Sequence, residues 1–192
     1  MKKVLNIIIV AVIALMTSSC GYNSMVEKQE SVVKTWANVE TQYQRRADLI
    51  PNLVNTVKGY AEHEKSTLTA VVEARAKATS VNIDPSNMTS ADMQNFNAAQ
   101  GGLGSALSKL MVVVEKYPDL KANESFMQLQ AQLEGTENRI SVARKNYNDV
   151  VGDYNTYIKK FPKNFIVGWF DFESKPYFES KEGSDVAPVV AF

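Results

Sequence analysis

Four stretches of this chain each carry a single apolar stripe, with apolar residues recurring mostly every three or four positions. Tyr22, Met25, Val32, Trp36, Val39 and Tyr43 form the first stripe, with one polar lapse at Gln29. The second reads Ile50, Leu53, Val57 and Tyr60, then Leu68 and Val71. The third reads Met93, Phe96, Leu103, Leu107, Leu110, Val114 and Tyr117. Phe126, Leu129, Leu133, Ile140, Tyr147, Val150, Tyr154 and Phe161 make the fourth. This spacing keeps side chains on one face of an α-helix and does not suit the period of two of a strand. A lone stripe would leave its apolar face in water, so the stripes must pack together. The expected fold is all-α, an up-and-down antiparallel four-helix bundle covering residues 23–161.

Capping residues divide the bundle. Asp48 can cap a helix whose first turn tolerates Pro51, and the cations Arg45 and Arg46 suit the end of a helix before it. A corner is therefore expected near Ala47–Asp48. The stripe nevertheless keeps its phase from Tyr43 to Ile50, and the alternative is three long helices with a kink near Pro51. The stretch from Val81 to Met88 reads as a loop, with Thr89 capping the next helix and Asp92 three residues on. Tyr117-Pro118 ends that helix, and Pro162 ends the last.

The first twenty residues are of another kind. Lys2 and Lys3 precede an apolar run from Val4 to Met16, then Thr17, Ser18, Ser19 and Cys20. The run is shorter than the roughly 20 residues of a bilayer span and fits the apolar part of a secretion signal. The one cysteine lies where such a signal is cut, so lipidation at Cys20 is expected. Residues 1–19 then form a lipoprotein-type signal peptide and residues 20–22 a short linker. The alternative is an uncleaved anchor helix. Both place the bundle outside the cytoplasm. A single cysteine excludes an internal disulfide. The chain has 21 basic and 21 acidic residues. Loss of Lys2 and Lys3 leaves a slight acidic excess, which argues against nucleic acid as a partner.

Catalytic constellations are missing from the pattern. His63 is the one histidine, and its neighbours Glu62 and Glu64 point to other faces of a helix, so the trio cannot chelate a metal by itself. No serine stands in a nucleophile-elbow context. Gly101-Gly102-Leu103-Gly104 has neither a preceding strand nor a following Lys-Ser/Thr, so it is not a phosphate loop. Glycines inside a helix are read here as room for a neighbouring helix. Arg46, Glu137 and Arg144 lie on or beside the stripes and are read as buried ion pairs that set helix register. No cofactor is expected.

The C-terminal segment, residues 162–192, differs from the bundle. It crowds Phe165, Trp169, Phe170, Phe172, Tyr177 and Phe178 between and beyond Pro162 and Pro176. Two uses are open: a cover over the end of the bundle, or a sticky surface for a protein or for lipid headgroups. Four antiparallel helices would return the chain to its starting end and put Trp169 at headgroup depth. Three would put the tail at the far end.

Ordered blocks across the chain resemble the LemA family. They include Trp36-Ala37, Gln44-Arg45-Arg46, Asp48-Leu49-Ile50-Pro51-Asn52, Val57-Lys58-Gly59-Tyr60-Ala61 with His63, and Ala74-Arg75. Further blocks are Glu115-Lys116-Tyr117-Pro118-Asp119, Glu137-Asn138-Arg139-Ile140, Ala143-Arg144, Tyr147-Asn148 and Tyr154-Asn155. The tail matches at Pro176-Tyr177-Phe178 and Phe192. The resemblance implies a four-helix, up-and-down bundle on a membrane anchor in the bacterial envelope; it implies little about activity and supplies no catalytic residues to carry over. The resulting expectation is a non-enzymatic scaffold with an unidentified envelope protein as partner. Its rivals are a module binding lipid or another small apolar ligand, and an enzyme with an unrecognised Glu/Arg site.

Overall fold

The computed structural model describes the backbone of residues 2–168, 170 and 172–179, and side chains within that set from Gly21 onward, Ile166 excepted. The expectations for Trp169 and for the last residues up to Phe192 lie outside the described residues. All regular elements among the described residues are helices: α1 (Lys2–Lys58), α2 (Lys65–Ser80), α3 (Ser90–Val114), α4 (Pro118–Lys121), α5 (Glu124–Lys159) and α6 (Asn164–Val167). The fold is all-α, as the stripes require. No described helix is long and apolar enough to cross a membrane.

The expected corner near Ala47–Asp48 does not exist. α1 runs unbroken through it, with Pro51 inside the helix. Asp48 caps nothing there; it accepts a hydrogen bond from Gln44 Nε2 one turn back, at 2.7 Å. The physical reason is on the neighbouring helix. Proline has no N–H, so Pro51 leaves the carbonyl of Ala47 without its helical donor. Arg75 Nε on α2 donates to that carbonyl at 2.8 Å. With the freed acceptor satisfied, the rod can continue. The chain turns instead at residues 59–64, where Tyr60 and His63 are exposed. The second stripe is therefore split: Ile50, Leu53 and Val57 belong to α1, and Leu68 and Val71 to α2. Residues 20–22, expected as a linker, are helical, and the Tyr22 ring lies 4.9 Å from that of Phe170.

Other boundaries follow local chemistry. Thr89 and Asp92 form a reciprocal capping box at the start of α3. Pro118 opens α4, where its missing N–H costs nothing. Asn123 caps α5 by accepting from Phe126 N at 3.0 Å. Phe161, placed on the fourth stripe by periodicity, is 79% exposed, because α5 ends before it and the helical phase no longer applies.

The helices are unequal, and that shapes the core. α1 has 57 residues and α5 has 36, but α2 has 16 and α3 has 25. α5 returns antiparallel along α1, and α2 and α3 form a hairpin beside the C-terminal half of α1. One core cluster, from Ile50 and Leu53 to Leu110 and Leu133, is enclosed by all four long helices. The other holds Trp36, Tyr43, Phe96, Tyr147 and Tyr154. At that level α1 and α5 continue below the reach of α2, and α3 contributes only its first turns.

Two other segments fill the gap. Ile83 and Met88 from the loop after α2 are buried there. The tail, extended over 172–179, lies antiparallel along α5. Asn155 holds Lys175 by both main-chain groups, donating to its carbonyl and accepting from its N–H, each at 2.8 Å. Two turns earlier, Asn148 does the same for Phe178, at 2.9 and 2.8 Å. The spacings agree: two helical turns rise about 10 Å, as does the extended chain from Lys175 to Phe178 at roughly 3.3 Å per residue. Each carboxamide thus stands in for a strand partner and satisfies backbone that would be costly to bury unpaired. Phe178 stacks on Trp36, centroids 5.8 Å apart, and Tyr147 OH donates to the Pro176 carbonyl at 3.2 Å. Lys175 reaches across to donate to the Ser86 carbonyl. Burial pulls its ammonium below the usual lysine range, opposed by Glu173 and Asp84.

Two outcomes test this account. Arg75→Met should destabilise the protein by about 1–3 kcal/mol, because it orphans a partly buried carbonyl. The same change in a Pro51→Ala background should cost clearly less, since the alanine N–H takes over the carbonyl. A urea double-mutant cycle reads the coupling, and additive losses would disprove it. Asn155→Ala should cost about 1–3 kcal/mol and expose the Lys175 amide to rapid hydrogen exchange; unchanged exchange there would show that the tail holds without the asparagine.

Candidate functional site

Between the two core clusters lies a polar node centred on Arg46. Its side chain is only 5% exposed. Nη1 donates to Glu137 Oε1 on α5 at 2.8 Å. Nη2 donates to Gln100 Oε1 on α3 at 2.6 Å and contacts the Gln100 carbonyl at 3.3 Å. Gln100 Nε2 donates onward to the Ala78 carbonyl near the end of α2, at 3.2 Å. One guanidinium therefore joins all four long helices. Gln100 occupies the stripe position between Phe96 and Leu103, where periodicity asks for an apolar residue. The guanidinium also lies over the Tyr43 ring, 5.0 Å from its centroid. Burial pushes the Tyr43 hydroxyl above its ordinary pKa, opposed by the charges of Arg144 and Arg46. Arg46 Nε is buried with no acceptor among the described residues.

The node forms the floor of an open groove of about 730 Å³ between α3 and α5. One wall is the α3 face carrying Gly101, Gly104, Ser105 and Ser108; Gln130 and Glu134 stand on the α5 rim. The glycines were expected to admit a neighbouring helix of this chain, and the structure overturns that. A methyl group added at Gly101, Gly102 or Gly104 would meet nothing within 4 Å. The gap they leave is filled by no part of the described fold, because α3 pairs mainly with α2 while α5 pairs with α1.

The remaining sequence candidates scatter. Trp36 and Tyr147 are fully buried core. Arg144 does line the groove beside Arg46 and Glu137, but it makes no interhelical ion pair among the described residues; its guanidinium lies 4.6 Å from the Phe178 ring centroid and donates to the Glu179 carbonyl at 3.1 Å, holding the tail. Arg45, Asp48, Pro51 and Arg139 are exposed along α1 and α5. Tyr60 OH accepts from Asn123 at 3.0 Å, and Tyr117 OH donates to Glu64 at 3.3 Å, which tie the far end of the bundle together. His63 is exposed in the turn after α1, and no group of three metal-ligating side chains converges among the described residues. Phe165 and Phe170 are 68% and 52% exposed, whereas Phe172 is buried. Cys20 lies on α1, and its side chain is outside the described residues. Sequence reasoning missed Gln100, and gave Arg75, Asn148 and Asn155 no role beyond their place in the family blocks. A signal existed for the last two: the dipeptide Tyr-Asn recurs at a two-turn spacing, the tyrosine inward and the asparagine beside it.

The comparisons bear on the whole arrangement. The sequence pattern of the LemA family matches residues 35–192, which include every member of the node and both tail-binding asparagines. The chain is similar to magnetosome protein MamQ 1 of Paramagnetospirillum magneticum, 27% identical over 188 residues, spanning 88% of this chain and 68% of that protein. It is 26% identical over 209 residues to magnetosome protein MamQ of Magnetospirillum gryphiswaldense, spanning 98% of this chain and 76% of that one. It is 22% identical over 160 residues to protein LemA of Metamycoplasma hominis, spanning 83% and 69% respectively.

Burial ranks the contributions within the node. Gln100→Leu removes an acceptor from a desolvated cation and orphans the Ala78 carbonyl, and should cost about 1–3 kcal/mol. Glu137 is 52% exposed, so Glu137→Gln should cost within about 1 kcal/mol. Urea unfolding of the two variants gives the order; a larger loss at Glu137 would mean that the ion pair, not the buried amide, holds the node.

Proposed function

The chain belongs to the LemA family, and from that premise we propose that it is a non-enzymatic scaffold held at a bacterial membrane, whose α3–α5 groove receives a helix of an envelope protein partner. The leader holds it there, through acylated Cys20 or as an uncleaved anchor, with the bundle outside the cytoplasm. The observation that carries the reading is the bare glycine face of α3. A glycine inside a helix costs about 1 kcal/mol relative to alanine, and here three stand with no contact among the described residues to explain them. Gly101, Gly104, Ser105 and Ser108 share one face and let another backbone approach closely. Below them the floor is polar, formed by Gln100, Arg46 and Glu137.

The geometry gives less support to an enzyme. Glu137 is engaged as the acceptor of Arg46, and Arg144 is turned to the tail. A lipid or apolar ligand is the other occupant the groove could take, because Leu107, Met111 and Leu133 also line it.

A photo-crosslinking benzoylphenylalanine in place of Gln130 on the groove rim tests the choice in living cells. A discrete protein adduct is expected there, and none from the same group at Val72, which is half exposed on α2. The adduct should vanish in a Gly101→Leu/Gly104→Leu variant, which should fold at least as stably because leucine is the better helix former. A lipid adduct at Gln130 would move the assignment to ligand binding. No adduct, or one that survives the leucines, would overturn the groove as the partner site.

A further inference from the structure

We propose that the aromatic turn from Phe161 to Phe170 is a membrane-contact surface, seated in the headgroup layer of the bilayer that carries the leader. This rests on the reading that the leader holds the chain at a bilayer, and it adds a second point of attachment made by the folded domain itself.

The turn exposes large apolar rings that no described part of the fold covers. Phe161, Phe165 and Phe170 are 79%, 68% and 52% exposed. The rings of Phe161 and Phe165 pack edge to face, 5.9 Å apart, so they form one patch. Monomeric surfaces seldom expose such clusters without a use. Basic groups surround them: Lys159 and Lys160 are exposed at the end of α5, and Lys163 lies over the Tyr157 ring.

Position selects the partner. α5 runs antiparallel to α1, with Lys28 of α1 over Tyr157 of α5. The chain beyond Tyr157 therefore continues toward the leader. Phe170 meets Tyr22, itself 38% exposed, at 4.9 Å. Tyr22 is two residues past Cys20, a rise of about 3 Å. The apolar run from Val4 to Met16 lies immediately beyond. A bilayer holding that run, or an acyl chain on Cys20, would meet the phenylalanines at its surface. Aromatic rings with flanking cations suit that depth, the rings at the interface and the lysines on anionic headgroups. Two contacts also do what one cannot. An apolar patch off the α1 axis would resist tilting of the rod about its anchor. The groove begins near Arg46, and an upright α1 would hold it roughly 40 Å from the surface at about 1.5 Å per residue.

The test uses the full chain, purified from membranes and reconstituted in vesicles of phosphatidylethanolamine and phosphatidylglycerol. Benzoylphenylalanine replaces Phe165 in one variant and Val142, exposed midway along α5, in another. Flotation of the vesicles first reports attachment. The expected result is co-flotation of both variants, a lipid adduct from position 165 and none from position 142. Co-flotation without a lipid adduct at 165, or with a protein adduct in its place, would overturn the membrane-contact turn and leave the anchor standing. Equal lipid adducts at both positions would mean a bundle lying flat and would overturn it too. Failure to float would remove the anchoring reading and this inference with it.

Discussion

The buried guanidinium of Arg46 is the constraint around which the rest of this fold is arranged. A cation taken out of water costs several kcal/mol unless its hydrogen bonds are met. Meeting them here requires α3 and α5 to present Gln100 and Glu137 at one level, with α2 ending close enough for Gln100 to reach the Ala78 carbonyl. Apolar stripes alone would let helices slide by a turn at little cost. The node makes one register cheaper than its neighbours. It also divides the interior, with Ile50, Leu103 and Leu133 on one side and Tyr43, Phe96 and Ile140 on the other.

Below that level the helical hairpin of α2 and α3 runs out, and two long helices cannot enclose a core by themselves. The tail resolves this without adding a helix. Asn148 and Asn155 turn one edge of α5 into a template for extended chain, and Phe178 enters the aromatic cluster of Trp36, Phe96 and Tyr147. Burial pushes the Tyr147 and Tyr154 hydroxyls upward, which marks how completely this layer is closed. The same route requires the chain to reverse between α5 and residue 172. That reversal carries Phe161, Phe165 and Phe170 outward, with Phe170 against Tyr22 of α1. Exposed aromatics at this end are thus a consequence of how the lower core is sealed.

The open groove arises from the same asymmetry. α2 takes up one side of α3 and α1 takes up α5, so α3 and α5 face each other across an open channel. Its wall is the one stretch of α3 where side chains have been reduced to hydrogen atoms. α1 is unbroken from its N-terminal end to Arg46, so one rod joins that end to the floor of the groove and no flexible joint lies between them.

Much of this was legible in the residues. The 3–4 recurrence specified helices and named most of the core, because burying a face every turn needs no knowledge of the neighbour. Thr89 and Asp92 declared a helix start, since a capping box is closed within four residues. Arg46, Glu137 and Arg144 were readable as charges on or beside apolar stripes, but not which of them pair: Glu137 meets Arg46 while itself half exposed, and Arg144 turns to the tail. What could not be read depended on distant partners. Pro51 looks like a helix boundary until Arg75, on another helix, takes the Ala47 carbonyl. Gln100 looks like a lapse in a stripe until a cation faces it. Asn148 and Asn155 look like surface residues until extended chain lies beside them, and the glycines of α3 look like a helix contact until that face proves empty. Local periodicity and capping are settled along the chain by backbone geometry. Where an orphaned donor or acceptor finds its partner, and which faces stay uncovered, is settled only when helices of unequal length pack.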